Sequence, residues 1–351
     1  MEPAEAITAR AVNRELYIKG QVNRITRQLL DLEVALVDDL AKAMARLSAK
    51  DETRLQQGSY TTDRLKRLID QVQQFSIDWA AIVRNQVDSG GLDLIEAEIE
   101  FEHRYLATFA TDATVGLSLD ATISPRQIFT AAKARPFGTR VLKEAYPEMA
   151  RNVRRRVVDS LRISYQAGES IGQASARLRS DRQLGINRNG AEAMARTVLA
   201  HYANSAANDS LQLLGVDKFI WVSTLDSRTT DICKSLDGQV FRFDNPRAPR
   251  VPRHVRCRSS IAAYLGEEID GERTSNGAEG KVLVPAGMNY EQWLRKQPKS
   301  FAREILGPTR YKIWNSGEPV TKFTDRYATR AFTSTELKQQ YSNLFPEAQA
   351  A

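Results

Sequence analysis

Apolar residues recur at Val22, Ile25, Leu29, Leu32, Leu36, Leu40, Ala43 and Leu47. This three-and-four spacing puts them on one face and predicts an amphipathic helix from about Ala11 to Leu47, long enough for a helical hairpin or coiled-coil arm. A second stripe, Leu65, Leu68, Val72, Phe75, Trp79 and Ile82, follows a cap at Thr62 and is expected to end at the Gly90-Gly91 pair. Ile95, Ile99, His103, Leu106 and Phe109 mark a third helix. Because His103 falls inside that stripe, it is expected to pack at the core or its boundary rather than to act as a ligand.

Ser124 followed by Pro125 opens the next helix, since proline at the first helical position gives up an N–H that has no partner there anyway. A break at Pro136-Phe-Gly precedes a basic helix from about Tyr146 to Ala167, with Met149, Val153, Val157 and Leu161 facing inward. A short helix (171–178), a polar Gly/Asn loop (184–190) and a helix over 191–214 follow. Strand patterns begin only after Gly215: β-branched and aromatic residues fill 218–223 and alternate in 239–243, and 258–264 completes a small sheet. The charged, glycine-containing stretch 266–280 reads as a surface loop or linker. Beyond it, two short amphipathic helices are expected to pin Trp293, Phe301, Ile305, Leu306 and Trp314 onto the module, and the tail past Phe345 is expected to be disordered. The fold class is mainly α, with long N-terminal amphipathic helices and a small C-terminal α+β module. It divides into a helical arm or bundle (1–121), a basic helical region (122–214), the module with its C-terminal helices (215–345) and a tail (346–351).

Composition narrows the setting. No stretch approaches the run of about 18 apolar residues that a membrane span needs, and the first residues have neither the basic nor the apolar region of an export signal. No membrane contact is therefore expected. Two cysteines make no disulfide framework, which points to synthesis in a reducing compartment. The net charge of +7 is uneven. Ten Arg, no Lys and four acidic residues lie between Arg151 and Arg196, and residues 226–258 are basic again. Arg151, Arg154, Arg155, Arg156 and Arg162 are the candidate nucleic-acid contacts, although arginines on a helix commonly form a solvated face.

The chemistry concentrates in two stretches. Cys233, His254 and Cys257 are three soft donors that could hold a zinc ion, with Asp226, Asp231 or water completing a tetrahedron. The alternative is two ordinary cysteines and a loop histidine bonded to backbone. No glycine-rich phosphate-binding turn is present, and no cofactor is expected, zinc at these three residues being the one alternative. Catalysis is disfavoured: Cys233 follows an Asp-Ile pair, whose charge would raise a thiol, and no further His or carboxylate cluster makes a metal triad.

Several motifs together carry a resemblance. Ala195-Arg-Thr-Val-Leu-Ala-His-Tyr-Ala-Asn204, Trp221-Val-Ser-Thr-Leu-Asp-Ser-Arg-Thr229, Ser235-Leu-Asp-Gly238, Pro252-Arg-His-Val-Arg-Cys-Arg258, Tyr290-Glu-Gln-Trp-Leu294 and Ile305-Leu-Gly307 occur in the order found in the phage Mu F-like head morphogenesis family. The resemblance covers roughly residues 145–340 and makes 215–345 a Mu F-like module. Family members often carry two pairs of cysteines around the histidine; here Thr230 and Ser259 stand where one thiol of each pair would be. A four-thiol site is thereby excluded, leaving either a Cys233/His254/Cys257 zinc site with an oxygen ligand or a loop clasp built from Asp226, Arg228, Asp237, His254 and Arg258.

The resemblance implies a non-enzymatic minor head protein of a tailed bacteriophage. Such a protein would be made in the bacterial cytoplasm and carried in the virion head near the portal vertex. Its implied partners are the portal, the major capsid or scaffolding protein and double-stranded DNA, with a role in head assembly, DNA packaging or DNA ejection. A zinc-assisted hydrolase or nuclease centred on His254, and a DNA-binding adaptor without a virion role, are the alternatives.

Overall fold

The computed structural model describes residues 2–109, 117–136, 141–180, 184–266 and 269–346. The first two thirds are helical: α1 (Pro3–Met44), α2 (Ala49–Gln56), α3 (Asp63–Phe109), α4 (Pro125–Ala134), α5 (Leu142–Gln166), α6 (Ile171–Arg179) and α7 (Ile186–Leu213). Then come β1 (Lys218–Val222), β2 (Leu225–Asp226), α8 (Asp231–Leu236), β3 (Val240–Arg242), β4 (Ser260–Ala263), β5 (Glu272–Gly277) and β6 (Gly280–Pro285). Helices α9 (Tyr290–Arg295), α10 (Lys299–Asn315) and α11 (Ser334–Gln340) close the chain. The architecture is mainly α with a small C-terminal α+β module, as the patterning predicts. No helix among the described residues is long and apolar enough to cross a membrane. Except for Pro346, the expected disordered tail lies outside the described residues, as do Phe137 and Gly138 of the expected break after α4.

Two compact units emerge, each discontinuous in sequence: Met1–Glu15, Leu94–Phe129 and Ala200–Ala351 form one, and Leu16–Asp93 with Thr130–Leu199 the other. The second unit is a helical assembly whose core follows the predicted stripes. Val22, Ile25, Leu29, Leu36 and Leu40 are buried on α1, and Leu65, Leu68, Val72, Phe75 and Trp79 on α3. The Gly90-Gly91 pair does not end a helix as expected, because α3 runs straight through it. A Cβ at Gly90 would lie 3.0 Å from the Gln21 side chain of α1. The glycine thus serves a close approach between helices, and tertiary packing overrides its weak helix propensity. The predicted polar loop at 184–190 is likewise helical from Ile186 onward. There Arg188 forms an ion pair with Glu33, and Leu184 and Ala191 are buried.

In the first unit, β1 is the centre of an antiparallel sheet of order β3-β1-β4, in register Phe219 with Phe241 and Trp221 with Ile261. Its apolar face packs with Ile7 of α1, Tyr105 and Leu106 of α3, and Ala207 and Leu211 of α7. A second sheet has the order β2-β5-β6; β2 pairs with β5 in parallel, and β5 with β6 as a hairpin. That hairpin replaces the linker expected at 266–280. Its inward positions on β5 are Arg273 and Ser275, so the alternation carries no apolar signal. A separate apolar cluster joins Leu225, Tyr290, Trp293, Leu306, Ile313 and Trp314, the expected anchors of the C-terminal helices among them.

Candidate functional site

Thr230 caps α8, its hydroxyl accepting from the Cys233 N–H at 3.5 Å, so the first turn of the helix fixes the cysteine relative to the cap. From the opposite side comes the long loop between β3 and β4. It closes in a turn in which the Cys257 N–H donates to the His254 carbonyl at 3.2 Å, and Arg256 takes a left-handed φ of 59°. This turn explains the spacing of three: it swings the imidazole and the thiol onto the same point. His254 Nε2 lies 3.1 Å from Cys233 Sγ and 2.9 Å from Thr230 Oγ1, and the two sulfurs are 3.8 Å apart. Both thiols are buried and unbridged, and the three donor atoms lie within 4.8 Å of one another. His254 Nδ1 is 2.9 Å from the Val255 carbonyl.

The groups shift one another electrostatically. Cys257 is pulled down to about 4, first by its hydrogen bond with Cys233 and then by His254, against the opposing effect of burial. Cys233 is pushed up by the same bond and by burial. Burial acts to lower His254, but its contact with Cys257 outweighs this and raises it.

Two ion pairs buttress the triangle. Arg258 grips Asp226 through both carboxylate oxygens, at 2.6 and 2.8 Å, and ties the end of the loop to β2. The Arg228 N–H and Thr229 hydroxyl also donate to Asp226. Burial opposes the Asp226 charge, but Arg258 and these donors hold the carboxyl below its ordinary value. The Arg228 side chain itself is 79 % exposed, 3.7 Å from Asp226. Asp237 is fully enclosed; it accepts from the Ser223 N–H at 2.6 Å and pairs with Arg273 at 3.2 Å. Burial nonetheless raises it, with Arg273 acting against that shift.

Of the residues singled out from sequence, Asp226, Cys233, Asp237, His254, Cys257 and Arg258 come together here. Thr230 and Ser259 join them, with Ser259 Oγ 3.1 Å from Ser223 Oγ, which donates in turn to the Cys233 carbonyl. The arginines of α5 belong to the other unit. Arg151 and Arg155 are exposed there, Arg155 bonded to Asn152, and Arg162 donates to the Gln56 carbonyl at 3.0 Å. Arg154, Arg155 and Arg156 are consecutive, so helical geometry turns them in three directions. His103 is half-buried on α3, at the boundary expected of it. Arg273 was not foreseen; only its place on an alternating strand could have signalled it.

Comparison with curated proteins and with solved structures found no match. Residues 151–262, roughly a third of the chain, match the family model of phage Mu protein F like protein. That span runs from the basic α5 to β4, holds Cys233, His254 and Cys257, and is a phage Mu F-like region, the family its motifs resemble.

Proposed function

We propose that this chain is a head morphogenesis protein of a tailed bacteriophage, a minor, non-enzymatic component of the virion head that binds the portal and double-stranded DNA. The match over residues 151–262 carries the reading. Its charge supports the DNA part: ten arginines and no lysine between Arg151 and Arg196 make a polyanion a natural partner. The site supports a structural rather than catalytic role, since both thiols are buried and Asp226, Asp231 and Asp237 are paired with Arg258, Arg310 and Arg273.

The test is a pull-down of the full chain with the portal protein of its own phage, together with localisation in imaged particles. Retention by the portal and density at the portal vertex are expected. Absence from particles and failure to bind the portal would overturn the reading in favour of a free DNA-binding adaptor, and metal-dependent DNA cleavage in favour of a nuclease. Replacing Arg154, Arg155 and Arg156 together by Gln is expected to weaken DNA binding and to flatten its salt dependence by about one unit of slope per lost phosphate contact.

A further inference from the structure

Two buried thiols 3.8 Å apart are an expensive way to fill space, because S–H is a weak donor and sulfur a weak acceptor. The separation has a meaning in coordination chemistry. Two thiolates bound at about 2.3 Å in a tetrahedral site stand about 3.8 Å apart. The imidazole edge is tighter: 3.1 Å from Nε2 to Cys233 Sγ, against about 3.5 Å for a tetrahedral nitrogen–sulfur edge. His254 is half-buried on a loop, so its ring can yield by those few tenths of an ångström.

The proton arrangement also fits. A neutral His254 that donates from Nδ1 to the Val255 carbonyl presents a bare lone pair at Nε2, aimed at the sulfurs, which is how metal-bound histidines are commonly held. The Thr230 hydroxyl and the Cys233 sulfur both converge on that one nitrogen, at 2.9 and 3.1 Å. Thr230 Oγ1, 2.9 Å from His254 Nε2, puts a hard oxygen beside the three donors. The surrounding bonds hold the donors from behind: Ser223 donates to the Cys233 carbonyl, and Arg258, next to Cys257, is locked onto Asp226.

We infer that Cys233, His254 and Cys257 form a structural zinc site whose fourth position, beside Thr230, is taken by an oxygen ligand. On loading, two S–Zn bonds and one N–Zn bond form and the thiol protons pass to solvent, so the buried site gains a dication against two thiolates. The ion would join α8 to the 244–259 loop, a connection of two chain segments that in zinc-dependent modules contributes to folding itself. The inference stands on these residues alone and does not depend on the phage reading.

The experiment is elemental analysis of the full chain, made without a histidine tag and purified under reducing conditions. About one zinc per chain is expected, lost in Cys257→Ser and in His254→Ala. Cobalt(II) added to the demetallated protein is expected to give the thiolate charge-transfer and d–d absorption of a tetrahedral site. Thr230→Cys is expected to tighten zinc binding in competition with a chelator, and it tests the geometry even if His254→Ala fails to fold. Metal-free protein with both thiols titratable and no cobalt spectrum would overturn the inference, as would zinc that persists in Cys257→Ser.

Discussion

The helical unit and the C-terminal module are held by different means. On α1 and α3, burial is spread along stripes of many apolar side chains, each one contact among many. In the module the short strands are fastened by a few polar pairs between segments far apart in sequence: Asp226 with Arg258, Asp237 with Arg273, and Arg10 of α1 reaching the Ile261 carbonyl of β4 at 2.6 Å. Apolar burial degrades gradually as side chains are trimmed. A desolvated ion pair fails abruptly, since losing one partner strands the other charge away from water. The module is therefore brittle at single residues in a way the helices are not.

Asp237→Ala is the strongest test of that contrast. It leaves Arg273 buried without its carboxylate and is expected to cost about 3–5 kcal/mol, as broken buried pairs do. Leu29→Ala on α1 removes a fully buried side chain and is expected to cost about 2–5 kcal/mol, the lower part of that range if neighbouring side chains close the gap. Urea unfolding of each variant, followed by circular dichroism and by tryptophan fluorescence, compares them. If Asp237→Ala unfolds with the parent's midpoint, the module does not rest on this pair.

Acidity separates Asp226 of the module from Glu33 of the helical unit, with opposite signs. Asp226 is held below its ordinary value by Arg258, so its contribution is complete above the unfolded carboxylate range, about pH 4, and is lost as pH falls through its lower folded value. Glu33 on α1 is the reverse: burial raises it to about 7, even with Arg188 opposing. Its folded form keeps a proton that the unfolded chain releases near pH 4.3, so its contribution is present below that and declines as pH rises toward about 7. Subtracting the pH–stability curve of Glu33→Gln from the parent's should leave a slope between about pH 4.3 and 7, and that of Asp226→Asn a slope only below about pH 4. A flat Glu33 difference curve would mean that its carboxyl stays ionised beside Arg188.

How much of this could be read in the sequence follows from the same division. The stripes of α1, α3 and α5 were legible because one local period sets both the helix and its buried face. The first sheet was legible in Phe219, Trp221 and the alternation around Val240. Arg273 was hidden because its partner is 36 residues away and its strand buries Arg and Ser instead of apolar residues. The six-residue α8 is too short to show a period. The convergence of Thr230, Cys233, His254, Cys257 and Ser259 was legible through the family motifs, whereas their distances depend on a turn that no local rule specifies.

Gly90 gives the smallest effect and shows where local reading fails even in the helical unit. Judged locally, glycine in mid-helix costs about 1 kcal/mol relative to alanine, so Gly90→Ala should stabilise α3. The structure says otherwise: the new methyl would meet Gln21 Cδ at 3.0 Å and Cγ at 3.1 Å, and Gln21 is itself buried and bonded to Gln86. Gly90→Ala alone is therefore expected to be neutral or to cost up to about 1 kcal/mol, because the overlap cancels the propensity gain. In a Gln21→Ala background the obstruction is gone, and adding Gly90→Ala should then raise stability by up to about 1 kcal/mol. The sign change between the two backgrounds, read as the interaction energy of a double-mutant cycle, is the measurement. Additive effects would mean that α1 and α3 do not approach closely at this point, and the glycine would again be only a weak spot in a helix.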